Sequence, residues 1–224
     1  MLPLLLLTAC WMWKSPDELR EQEVRMDMED HYAQVSAARD AIIAGDAATA
    51  VDNLETLRAR LPVPQLPEDL ARAEKSLGKA LAPARSGADL TATAAVVADA
   101  SAACGDCHQA AGVQMLQDPA PPPATAMLRH QWAAERLWEG LVAPSEDALR
   151  AGWEALVETP MLPAELGEAA SSPEVVALEA RVHQLAGRVA AHGTPRAARA
   201  EAYGELMATC AACHAATGGG PAQP

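Results

Sequence analysis

The sequence predicts an all-α fold, built as two tandem antiparallel four-helix bundles. Three observations predict it. Alanine, leucine and glutamate lead a chain of 224 residues that is 3% aromatic and has no Phe, a composition that favours helix over strand. Prolines and glycines divide the chain into segments of helical length. The whole pattern then occurs twice, once on each side of the Pro-rich stretch 118–123, which cannot continue a helix.

In order, Ser15-Pro16-Asp17-Glu18 reads as a capped helix start: an N-cap serine, proline at the first position and acids in the first turn. A long helix follows to about Ala44. Gly45-Asp46 breaks and re-caps it, and a second helix runs to about Arg60. The segment from Leu61 to Pro67 is a turn. A third helix covers about 68–82, and Pro83 to Gly87 separates it from a fourth. In the second half, helices are expected over 124–142, from the Pro144-Ser145 break to about 158, then near 173–191 and 195–215. The expected organisation is an exported leader and tether (1–15), a first bundle (16–117), a linker (118–123), a second bundle (124–216) and a disordered tail (217–224).

The duplication is visible residue by residue. At a constant offset Met28, His31, Ile42, Leu54 and Leu57 fall on Met127, His130, Leu141, Trp153 and Leu156. After a short insertion between about 163 and 176, Gly87 falls on Gly193 and Cys104 on Cys210. Met28, His31, Val35, Ala38 and Ile42, and their counterparts Met127, His130, Ala134, Leu137 and Leu141, form a 3-4-3-4 core stripe. Val97, Ala100, Cys104 and Cys107 continue that rhythm in the last helix of one half, as do Tyr203, Leu206, Cys210 and Cys213 in the other.

Those cysteines belong to two runs, Cys104-Gly-Asp-Cys107-His108 and Cys210-Ala-Ala-Cys213-His214. C-x-x-C-H is the attachment signature of a c-type haem. Two thiols reach the two vinyl groups on one edge of a porphyrin, and the adjacent histidine offers an imidazole nitrogen to the iron. A zinc module or a redox disulfide could use C-x-x-C, but neither needs a histidine directly after it, twice. The reading is two covalently attached haem c groups, each held between the first and last helices of a bundle. His108 and His214 are the proximal ligands. On the distal side Met28 and His31 share one helix face, as do Met127 and His130. His31 and His130 are preferred over the alternatives Met28 and Met127, because methionine packs without a partner and a buried imidazole needs its nitrogens satisfied. His183 and His192 lack counterparts, Leu77 and Ser86 standing in their places, and are taken as ordinary. Met161 is read as loop packing, and Trp132, Trp138 and Trp153 as core or porphyrin packing.

Each half thus resembles the cytochrome c-prime type, the class II c-type cytochromes, on Cys104, Cys107, His108, Cys210, Cys213, His214 and the position of the motif. That family has four helices, the motif near the C-terminus and its sixth-position residue early in the first helix. It usually offers methionine there or leaves iron five-coordinate, so His31 and His130 depart from it. Class I cytochromes c place the motif near the start of the domain, with a methionine well downstream, and do not fit a motif that ends at His214.

The resemblance implies a one-electron carrier rather than an enzyme. The alternative is binding or sensing of nitric oxide or carbon monoxide at an open distal site. The formal charge of −13 argues against nucleic acid and for redox partner proteins with basic docking surfaces. The acidic run Asp17 to Asp30 is either a solvated helix face or such a docking patch. Leu7-Thr8-Ala9-Cys10, closing an apolar run too short to span a bilayer, resembles the lipobox of bacterial lipoproteins. It implies lipidation at Cys10 and a membrane anchor on the periplasmic side. An ordinary signal with an incidental cysteine is the other reading, and either exports the chain.

Overall fold

The computed structural model describes residues 16–63, 66–113, 121–158, 166, 169 and 172–220. Cys10 and Met161 lie outside these residues, as do linker positions 118–120 and tail positions 221–224. Among the described residues there are eight long helices and no strand: α1 (Pro16–Ile43), α2 (Ala47–Ala59), α3 (Glu68–Leu81), α4 (Leu90–Ala111), α5 (Ala126–Val142), α6 (Glu146–Glu158), α7 (Pro173–Ala190) and α8 (Arg196–Thr217). The protein is all-α.

The turn chemistry explains the boundaries. Gly45 takes a left-handed φ of +83° directly after α1, and its N–H donates to the Ile42 carbonyl at 2.9 Å. The next N–H, of Asp46, donates to the Ala41 carbonyl at 2.8 Å. Asp46 then caps α2 with its side chain, accepting from the Thr49 N–H at 2.9 Å and the Thr49 hydroxyl at 2.7 Å. Asp89 does the same for α4, accepting from the Ala92 N–H at 2.7 Å. Ser145 Oγ accepts from the Ala148 N–H at 3.2 Å at the start of α6. Both motif helices, α4 and α8, stop at equivalent left-handed glycines, Gly112 and Gly218. Beyond Gly218 the backbone at Gly220 lies against the His214 ring.

Neighbouring helices form hairpins: α1 with α2, α3 with α4, α5 with α6 and α7 with α8. The halves meet mainly where α4 packs on α8, and α1 leans on both α4 and α8. That seam is close because small residues line it. A Cβ on Gly204 of α8 would sit 3.3 Å from the Ala94 carbonyl oxygen of α4. One buried cluster runs through both halves, from Val35, Ile42 and Leu54 to Leu141, Leu185 and Leu206. Trp138 of α5 is its largest member. Its indole N–H donates to Ser101 Oγ of α4 at 3.0 Å, the Arg39 guanidinium of α1 lies 4.4 Å from its ring centroid, and Tyr32 packs beside it at 5.2 Å. These contacts give the indole's polar atom a partner and add a cation–π attraction of about 1 kcal/mol.

The α1 stripe behaves as the spacing predicts: His31, Val35, Ala38 and Ile42 are buried and Met28 is half-buried. The α5 stripe does so only toward its C-terminal end. Leu137 and Leu141 are buried, whereas Met127 is 41% exposed.

Asp46 gives a pH test. The Thr49 backbone N–H, then the Thr49 hydroxyl, holds its carboxyl below the usual carboxylate range. A depressed folded-state value means the stabilisation is complete above the unfolded value of about 3.9 and is lost as the pH falls through the folded one. Asp46→Ala should therefore cost about 1 kcal/mol at pH 7 and nearly nothing once the carboxyl is protonated in both states, as read by urea unfolding across that range.

Candidate functional site

The two C-x-x-C-H runs occupy the last turns of α4 and α8, so each pair of cysteines and its histidine lie on one helical surface. All four cysteines are half-buried and unbridged. Burial pushes the Cys104 and Cys210 thiols up to about 12, and pushes Cys107 and Cys213 upward too. These are neutral thiols rather than poised thiolates, with carboxylates (Glu74 and Asp69 at Cys107, Glu179 at Cys213) adding to the effect of burial. Among the described residues no three or more His, Cys, Asp or Glu side chains converge as a metal-ion site of protein ligands requires.

The motif histidines are held in matching ways. His108 Nδ1 lies 2.8 Å from the Val142 carbonyl oxygen, and His214 Nδ1 lies 3.0 Å from the Ile43 carbonyl oxygen. A carbonyl can only accept, so Nδ1 carries the proton in both rings. Nε2 is then the nitrogen with a free lone pair, the tautomer an iron-ligating histidine needs.

A cavity of about 700 Å³ opens against the second motif, within the range of pockets that hold cofactors. Cys210, Cys213 and His214 line one side, and Met127, His130 and Ala134 of α5 face it. Val175, Glu179 and Val182 of α7 line it, and so do Ile43 and Ala44 from the end of α1. Its polar rim includes Arg39 and Asp40, joined by an ion pair of 2.6 Å. This cavity therefore brings together the expected proximal histidine, both cysteines and both distal candidates of the second half.

In the first half, His31 is 6% exposed and its Nε2 finds no hydrogen-bond partner among the described residues. Burial holds its imidazole below the usual histidine value, in the neutral form. An unpartnered buried ring nitrogen is costly unless something binds it, which suits a ligand role and distinguishes His31 from half-buried Met28. The first motif has a polar lock that the second lacks. Asp106 pairs with Arg196 at the start of α8, and Arg196 also donates to Gln109 Oε1 at 2.7 Å; the residue equivalent to Asp106 is Ala212.

His183, read as ordinary, lies closer to the chemistry than that. Its ring centroid is 6.0 Å from that of His130, and its buried Nε2 lacks a partner among the described residues. His192 is exposed on the turn before α8. Trp132 packs under Arg136, and Trp153 is 39% exposed beside Gly187; neither lines the cavity. Reading the sequence alone missed Arg39, which is buried and lies over Trp138 of the other half, its exposed neighbour Asp40, and the two carbonyls, which no side-chain motif encodes.

No protein-family model, curated protein or solved structure matches this chain. No described helix is long and apolar enough to cross a membrane.

The orphaned ring of His31 yields a test that needs no cofactor. In the cofactor-free chain His31→Leu removes an unsatisfied nitrogen from a buried site, and should leave stability unchanged or raise it by about 1 kcal/mol in urea unfolding. A loss of more than about 2 kcal/mol would show that the ring is already satisfied, and would remove the argument for a ligand there.

Proposed function

We propose that this chain is a dihaem c-type cytochrome carrying single electrons between redox partners, an electron-transfer protein rather than an enzyme. It is built as two four-helix repeats, residues 16–117 and 124–216, each supplying the cysteines and proximal histidine for one haem c. The reading rests on one observation above the others. Both motif histidines turn Nδ1 onto a carbonyl and keep Nε2 for a metal, beside two neutral thiols. A redox disulfide has no use for that tautomer, and a zinc site needs further protein ligands. The cavity against Cys210, Cys213 and His214 supports the same reading.

Cys104, Cys107, Cys210 and Cys213 would hold the two haems through thioethers, each S–H adding across a vinyl C=C so that no oxidant would be consumed. The bound haem supplies an iron that cycles between ferrous and ferric forms, one electron at a time. The chain's own residues do the rest. His108 and His214 would hold the iron together with His31 and His130. The apolar walls exclude water, and the choice of imidazole over thioether on the distal side keeps the potential low. The chain works on the periplasmic side of a bacterial membrane, anchored through a lipid on Cys10, and its acidic surface meets basic partner proteins.

Exposed Met127 at the edge of the cavity favours a second reading for that half, an open distal position that binds nitric oxide or carbon monoxide. The two readings separate cleanly. Protein made in a host that matures c-type cytochromes should carry two haems per chain that survive acid–acetone extraction, and the pyridine haemochrome spectrum counts them. The reduced wild type should resist carbon monoxide. His130→Ala should admit it at one haem of the two, and Met127→Leu should change little. Carbon monoxide binding by the wild type would favour the sensor, and opening by the Met127 substitution would reverse the ligand assignment.

The anchor is tested separately. Cell fractionation should place the wild type with membranes, and Cys10→Ser should release it or block its processing. A mature N-terminus beyond residue 10 without lipid would remove the anchor and leave the exported cytochrome.

A further inference from the structure

We propose that the two halves complete each other's sites: the last carbonyl of each first helix, Ile43 in α1 and Val142 in α5, positions the motif histidine of the opposite half. The proposal rests on the haem reading and adds which groups orient the proximal imidazoles.

The argument begins with helix ends. The last four carbonyls of a helix have no intrahelical donor and must find partners elsewhere. At the end of α1, the N–H groups of Ala44, Gly45 and Asp46 take the carbonyls of Asp40, Ile42 and Ala41. The Ile43 carbonyl remains, and His214 Nδ1, from the other half, takes it. At the end of α5, the N–H groups of Ala143 and Ser145 take Glu139 and Gly140. The intervening Pro144 has no N–H to offer. The Val142 carbonyl goes to His108 Nδ1, again from the other half.

Ile43 and Val142 are equivalent positions of the duplication, as are His108 and His214. The same bond has thus formed twice, in opposite senses, on different local sequences. At the first motif the close approach depends on a missing side chain, because a Cβ on Gly105 would collide with the Leu141 carbonyl oxygen. The equivalent residue at the second motif is Ala211, so the two copies of the bond do not share one packing accident.

Acceptor strength at Nδ1 governs how strongly Nε2 donates to a metal, so each site is tuned from the opposite half. Moreover, α1 carries His31 for its own site and Ile43 for the other. These lie twelve residues apart, about 18 Å along the helix. The helix α5 carries His130 and Val142 in the same relation. Each first helix is therefore a single rod with one site near each end.

The turn residues allow a test that stays away from both motifs. Gly45 has a left-handed φ and open space around it, so Gly45→Val strains the end of α1 without a clash. In reduced, haem-loaded, full-length protein labelled with nitrogen-15 histidine, hydrogen exchange of each ligated Nδ1 proton is measured by NMR. Single-haem variants, Cys104→Ala/Cys107→Ala and Cys210→Ala/Cys213→Ala, assign the two signals. Gly45→Val, a change in the first half, should speed exchange at His214 by roughly tenfold and leave His108 unchanged. Pro144→Gly, which loosens the end of α5, should do the reverse and keeps the test available if Gly45→Val does not fold. Effects confined to the substituted half, or equal at both histidines, would overturn the proposal. The same protons followed in the cofactor-free chain separate the two failures. A chain that binds no haem yet shows the crossed pattern sinks the cytochrome and keeps the positioning. Two haems without the crossed pattern sink only the positioning.

Discussion

The structure depends on a constraint that every helix ending inside a protein must meet: its final carbonyls need donors, and water is not there to supply them. In α1 and α5 the local turns supply some of these donors, and the Ile43 and Val142 carbonyls turn to imidazoles on α8 and α4. That requirement goes with the tautomer each motif histidine adopts. It also brings the end of each first helix against the opposite motif. The close seam between α4 and α8, with Gly204 against the Ala94 backbone, is what brings the donors within reach.

The two halves share this plan and differ in how they polish it. Trp138 stands where the first half has Arg39, and the two have become partners across the seam, guanidinium over indole. Arg199, buried near the start of α8, makes a two-pronged ion pair with Glu146 at 2.6 and 2.9 Å and donates to the Ala191 carbonyl at 3.0 Å. Its equivalent in the first half is Thr93, whose hydroxyl turns back to the Asp89 carbonyl. Each half buries an arginine at a position where the other has none, Arg39 against Trp138 and Arg199 against Thr93, so the charges within the two halves differ even though the backbone repeats.

Much of this was legible in the sequence because it is local. The helix boundaries follow from Gly45, Asp46, Asp89 and Ser145, whose turn and capping roles are intrinsic to the residue type. The α1 stripe from His31 to Ile42 follows from helical periodicity. The paired motifs were visible because each is a contiguous run of five residues that occurs twice. What stayed hidden is non-local. Met127 occupies a core register and yet is exposed, where it lines the cavity. Arg39 reads as a surface residue until Trp138 arrives from the other half. The Ile43 and Val142 carbonyls belong to the backbone, and no side-chain pattern marks a backbone atom. His183 was set aside because it lacks a counterpart, although that same lack is what makes the surroundings of His130 unlike those of His31.

The crossed contacts carry one last consequence, for a chain half this long. A single repeat would end its first helix on a carbonyl with no donor, and would carry a motif histidine with no acceptor. Two copies could cure both faults by pairing face to face about a two-fold axis, each lending its helix end to the other. This is the self-complementary geometry of a cyclic dimer. The tandem chain has the same geometry with the two partners tethered. Tethering makes the partner's effective concentration independent of dilution, so the assembly that a lone repeat would reach only by association is here a property of folding.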